Sequence, residues 1–136
     1  MANLRRKATA LAFTGIGTSL VAKQGLADTR GSASAAVASG MIRAVRVRRT
    51  AGTGAVDFTV VVFSEDDTIA NGAQVLINKT FTSLNVQGAG DANLDSQSGA
   101  ENYEVVFNQR PFVSILAASG SAHGVEVVIE YSDAAG

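Results

Sequence analysis

The stretch VEVVIEY, residues 125–131, decides the fold class. In an extended chain Val125, Val127, Ile129 and Tyr131 fall on one side, Glu126 and Glu130 on the other. A two-residue period of this kind marks a half-buried strand. IRAVRVRRT (42–50) repeats it, with Val45 and Val47 opposite Arg46 and Arg48. VDFTVVVFS (56–64) sets Phe58, Val60 and Val62 together and is rich in β-branched residues, which suit a pleated surface. QVLINKTFTSL (74–84), YEVVF (103–107, with Tyr103, Val105 and Phe107 together) and FVSILAAS (112–119) bring the number of short strands to six. Turn signals separate them: AGTG (51–54), Asn71-Gly72, NQRP (108–111) and GSAHG (120–124). Pro111, the single proline, suits a strand start. Residues 85–102 read as a long polar connection. No stretch carries a convincing helical period. The chain is expected to be all-β, a single antiparallel β-sandwich or jelly-roll-like domain over residues 41–136.

Residues 1–40 read differently, as an extended N-terminal arm ending in a small-residue tether, DTRGSASAAVASG (28–40). The arm opens MANLRRKATALAFTGIGTSLVA: Arg5, Arg6 and Lys7, then an apolar run broken by Thr14, Gly15, Gly17, Thr18 and Ser19. A secretory signal has a basic start, an apolar core and a small-residue cleavage site, here after Ala22 or Ala27. The broken apolar core favours a working arm over a cleaved signal, and it is too interrupted for a membrane-spanning helix.

The 136 residues fit one domain with a real core. The chain is 46% hydrophobic, only 17% charged, and carries a net charge of −1. An apolar, nearly neutral surface is poorly protected against association, so a partner surface is expected. The near-zero charge hides an asymmetry. Residues 1–50 hold nine basic residues against Asp28, a balance of +8, and residues 51–136 balance to −9. Such halves neutralise each other within one fold or between neighbouring subunits, or the basic half meets another acidic surface.

Chemistry is sparse. The absence of cysteine removes disulfides, thiolate metal sites and cysteine nucleophiles. His123, the single histidine, reads as an exposed loop residue with no triad partners placed near it. Asp91, Asn93 and Asp95 have calcium-loop spacing, but Ser96 and Asn102 stand where glycine and glutamate are needed. Neither GTG (52–54) nor GAG (88–90) precedes a helix that would hold a phosphate. No enzyme activity, cofactor or metal is expected. Arg43, Arg46, Arg48 and Arg49 crowd one strand, with Arg46 and Arg48 on one face. No aromatic residue is interleaved to stack bases, so an acidic protein neighbour is preferred over nucleic acid.

VDFTVVVFSEDDT (56–68) and the closing PFVSILAASGSAHGVEVVIEYSD (111–133) give residues 41–133 a texture that resembles the small β-sandwich proteins of tailed-bacteriophage virions. These are capsid cement (decoration) proteins and neck or tail accessory proteins. The resemblance implies a non-enzymatic, homo-oligomeric virion protein that clamps the major capsid protein or other virion subunits. On this reading the partner-binding residues are Arg5, Arg6, Lys7, Leu11, Phe13, Ile16 and Leu20 of the arm, with Arg46 and Arg48. The arm would bury its apolar side chains on a neighbour, so deleting residues 1–27 would abolish incorporation and leave the β domain folded. The alternative is an exported adhesin or carbohydrate-binding module. Glycan platforms use exposed aromatics, whereas this chain has no tryptophan and both tyrosines fall on inward faces.

Overall fold

The structure, a computed structural model, describes residues 6–28, 35–52, 54–64, 74–84 and 98–133. All six expected strands are present: β5 (Gly40–Ala51), β6 (Val56–Phe63), β7 (Val75–Leu84), β8 (Ser98–Phe107), β9 (Phe112–Ala117) and β10 (His123–Asp133). The polar stretch before Tyr103 is shorter than expected, because β8 already begins at Ser98. The N-terminal segment adds β1 (Arg6–Ile16), β2 (Gln24–Gly25) and a small hairpin of β3 (Ala27–Asp28) with β4 (Ala35–Ala36).

Eight of these strands form two antiparallel four-stranded sheets, in the orders β1-β10-β5-β8 and β2-β9-β6-β7. The chain changes sheet at every step between them except the β6–β7 hairpin. Two four-stranded sheets wound in this alternating way make a jelly roll, within the fold class read from the sequence. The valine-rich faces meet between the sheets. Ile42, Val45, Phe58, Val60, Val62, Ile115, Val125, Val127 and Ile129 are all fully buried in one core.

The N-terminal segment is not a free arm. β1 lies antiparallel to β10, from Arg6 opposite Ser132 to Phe13 opposite Val125. Residues 17–26 then cross to the other sheet and run along β9. Gly17 O accepts from Ala117 N (2.8 Å), Val21 N donates to Ile115 O (3.2 Å) and Leu26 N donates to Pro111 O (2.8 Å). Ser114 Oγ donates to Val21 O at 2.6 Å and helps to seal that edge. The physical reason is a size alternation: Thr9, Leu11 and Phe13 point inward and are buried, while Ala8, Ala10, Ala12 and Thr14 point outward and are exposed. Burying the larger side chains on their own sheet removes apolar area from water without a partner.

Candidate functional site

The outer face of the first sheet gathers the charged residues. On β5 and β10, Arg48 stands opposite Glu126, Arg46 opposite Val128 and Ala44 opposite Glu130. Arg48 Nη2 lies 3.6 Å from Glu126 Oε1, and Arg46 Nε donates to Glu130 Oε2. Arg43 donates to Ser132 Oγ at 3.2 Å and reaches Glu104 Oε1 at 4.0 Å. The +8 and −9 halves therefore meet in one fold, across neighbouring strands. Each exposed pair contributes about 0–1 kcal/mol, too little to define the fold. The arginines ride on top, with Arg46 and Arg48 side chains 60% and 61% exposed. Beside them Ala8, Ala10 and Ala12 of β1 leave the face low and flat.

Arg49 does not belong to that row. It continues the inward side of β5 after Val45 and Val47 and is 2% exposed. Its Nε donates to Ala51 O (3.0 Å), and Nη1 donates to Gly54 O (2.9 Å) and Leu84 O (2.7 Å). Nη2 donates to His123 Nδ1 at 2.8 Å, so the ring proton sits on Nε2, which donates to Ser119 O at 2.9 Å. The expectation of an exposed loop histidine is thus corrected: His123 is 4% exposed and opens β10. Phe58 meets its ring edge-on at 5.6 Å and lies 4.9 Å under the Arg49 guanidinium. Glycines leave room for this cluster. A β-carbon at Gly52 (φ +113°) would lie 2.5 Å from His123 Nδ1, and one at Gly120 (φ +80°) 2.6 Å from His123 Nε2. Burial lowers the Arg49 pKa, and the guanidinium stays a cation. The cluster ties three chain connections together and occupies both ring nitrogens of His123.

The outer face of the second sheet carries a smaller apolar cluster of Val61, Phe63 and Phe112, with Phe63 and Phe112 stacked at 6.4 Å. Lys23 lies 4.8 Å and Arg110 5.2 Å from the centre of the Phe112 ring. Arg110 Nε also donates to Leu26 O at 3.0 Å, which fastens the crossing segment. Neither residue stood out in the sequence, because cation–aromatic pairs between distant strands leave no local pattern. A cleft of about 470 Å³ opens between Ser64, Gln74, Leu76, Val106 and Phe107, lined by no titratable side chain among the described residues.

Of the expected partner-binding residues, Arg46 and Arg48 lie on the outer face as the alternation requires. Leu11, Phe13 and Ile16 are corrected: at 7%, 3% and 0% exposure they are core residues of their own sandwich, so docking on a neighbour is not their role in this fold. Leu20 is 39% exposed on the crossing segment. Lys7 is half-buried on β1, Arg6 is paired through its backbone with Ser132, and Arg5 lies outside the described residues. The Asp91–Asp95 loop also lies outside them. Among the described residues no group of three or more histidine, aspartate or glutamate side chains could hold a metal ion. Tyr131 is 1% exposed, and Tyr103 packs against the core. Burial, then the charge of Glu101, raises the Tyr103 phenol above its usual 10.0.

No protein-family model and no curated protein matches the chain. Among solved structures, the crystal structure of PirA is similar at a TM-score of 0.46 and 11% identity, over 89% of this chain and 92% of that one. The structure of infectious bursal disease virus Gt strain is similar at a TM-score of 0.32 and 10% identity, over 96% of this chain. This chain spans 38% of that viral chain.

Proposed function

We propose that this protein is a non-enzymatic virion structural protein, of the cement or neck and tail accessory kind, that packs against major capsid or other virion subunits. The observation that carries the reading is the flat outer face of the first sheet, with its ladder of Arg43, Arg46 and Arg48 against Glu104, Glu126 and Glu130. A rigid sheet face of paired charges beside a row of alanines presents a broad surface for another protein. At one end of the face a depression of about 520 Å³ lies beside Arg43, Asn102, Tyr103 and Glu104. Each arginine has a carboxylate within 4.0 Å, so the face is no cationic strip for nucleic acid. Jelly rolls serve capsid proteins and lectins alike, and here the fold is an analogy only.

An exported adhesin fits less well. Cleavage after Ala22 or Ala27 would remove β1 and strip β10 of one of its two partner strands. The buried and core-packed tyrosines also leave no aromatic platform for sugars.

The test is immunogold labelling of gradient-purified particles from the source, with an antibody raised against the purified chain. Regular labelling of particles is expected. Antigen that stays wholly in the soluble fraction, with bare particles, overturns the proposal.

A further inference from the structure

We infer that the outer face of the first sheet is a self-complementary interface for a second copy of this chain, forming a two-fold dimer. The inference rests on reading this face as an interaction surface, as proposed above, and names its partner.

The argument is geometric. Across the face the strands run β1-β10-β5-β8, so rows of side chains follow one another. They are a small row (Ala8, Ala10, Ala12), a row with acids on either side of Val128 (Glu126, Glu130), a basic row (Arg46, Arg48) and a mostly neutral row of Ala100, Asn102 and Glu104. Consider a second copy turned by 180° about an axis parallel to the strands, above the line between β10 and β5. Its β10 then lies over this β5 and its β5 over this β10. The rotation preserves position along the strands, so Arg48 meets the level of Glu126 of the second copy, while Arg46 meets that of Val128, and the second copy's Glu130 lies one side-chain step further along the row, over Ala44. Two-fold pairing needs one patch that complements itself. Adjacent rows of opposite sign meet that condition, whereas a face of one sign would repel its copy. The same rotation sets the second copy's Asn102 and Ala100 over Ala8 and Ala10 of β1, where short side chains permit close approach.

The charge balance agrees. The arginines extend past their carboxylates, with Glu126 and Glu130 side chains 34% and 15% exposed under Arg48 and Arg46 at about twice that exposure or more. Each guanidinium then has donors directed outward, and bridging to the copy's carboxylate adds an interaction without breaking the fold's own pair. Extent agrees as well. Four strands ~4.8 Å apart and ~10 residues long at ~3.4 Å each give a face on the order of 650 Å². A standard interface buries roughly 800 Å² on each partner.

The test is light scattering during size exclusion, on the full chain and two charge-reversed variants. The native chain is expected at twice its 13.9 kDa mass in ~0.1 M salt and to shift toward monomer in ~1 M salt, where the screening length falls to ~3 Å. Arg46→Glu with Arg48→Glu makes both rows acidic, and Glu126→Arg with Glu130→Arg makes both basic. Each variant alone is expected to be monomeric, and an equimolar mixture is expected to recover the doubled mass. Circular dichroism checks that each variant is folded. If one is not, Arg46→Gln with Arg48→Gln replaces it and is expected to weaken dimerisation at least tenfold. A monomeric native chain, or folded variants that stay dimeric alone, overturns the inference. Failure here with labelled virions leaves the virion role standing with another partner; a dimer with unlabelled virions does the reverse.

Discussion

Phe13 offers the sharpest test of where the N-terminal segment belongs. It is 3% exposed, sits on β1 opposite Val125, and packs into the single core. Truncating a buried phenylalanine to alanine costs about 3–5 kcal/mol, the transfer term plus the cavity left behind. Domains of this kind have roughly 5–15 kcal/mol in total, so Phe13→Ala removes a large share. Leu20, only seven positions further on, is 39% exposed, and Leu20→Ala is expected to cost no more than about 0.5 kcal/mol. The assay is urea unfolding followed by far-ultraviolet circular dichroism. With a slope of about 1–3 kcal/mol per molar, Phe13→Ala moves the midpoint down by roughly 1–5 M. Deleting residues 1–27 removes β1 and uncovers the β10 edge, so that truncation is expected to unfold the domain. If Phe13→Ala shifts the midpoint no more than Leu20→Ala does, β1 is not held by its own sheet. A segment that reaches onto a neighbour would then be the better account.

Three further outcomes follow from the buried cluster and Tyr103. Gly52→Ala drives a methyl group into Arg49 and His123, and should cost about 1–3 kcal/mol, read as a lowered melting temperature. His123→Ala leaves the Arg49 Nη2 donor without its ring acceptor and opens space beside Phe58. A loss of at least about 1–3 kcal/mol in chemical denaturation is expected, and an unchanged midpoint would show that the latch carries no load. Tyr103 has a pKa raised above 10.0, so the folded state holds its proton longer than the unfolded state does. Its contribution is complete below pH 10.0 and declines as pH rises beyond it. Tyr103→Phe should flatten the alkaline fall of stability, and an identical fall in both proteins would refute the assignment.

What could be read from residues alone was the part in which polarity alternates. Val125 to Tyr131 against Glu126 and Glu130, and Val45 and Val47 against Arg46 and Arg48, gave both the strands and their inward faces. β1 escaped because alanine is apolar. Its outward row of Ala8, Ala10 and Ala12 hides the period that size, not polarity, carries. Arg49 follows the inward side of β5 by simple alternation, yet nothing nearby in the chain explains a buried guanidinium. Apart from Ala51 O, its acceptors come from Gly54, Leu84 and His123, five to 74 positions away.

By itself, then, the sequence determined a two-layer all-β fold and the sign of each exposed row, because side-chain direction along a strand is a local property with a period of two. Tertiary structure alone decided three things: that the N-terminal segment closes both sheets, that Arg49 and His123 satisfy each other inside, and that acidic and basic rows lie side by side on one face. Each depends on which strands become neighbours. Strand order is settled by burial and hydrogen bonding summed over the whole chain, and no short stretch records it.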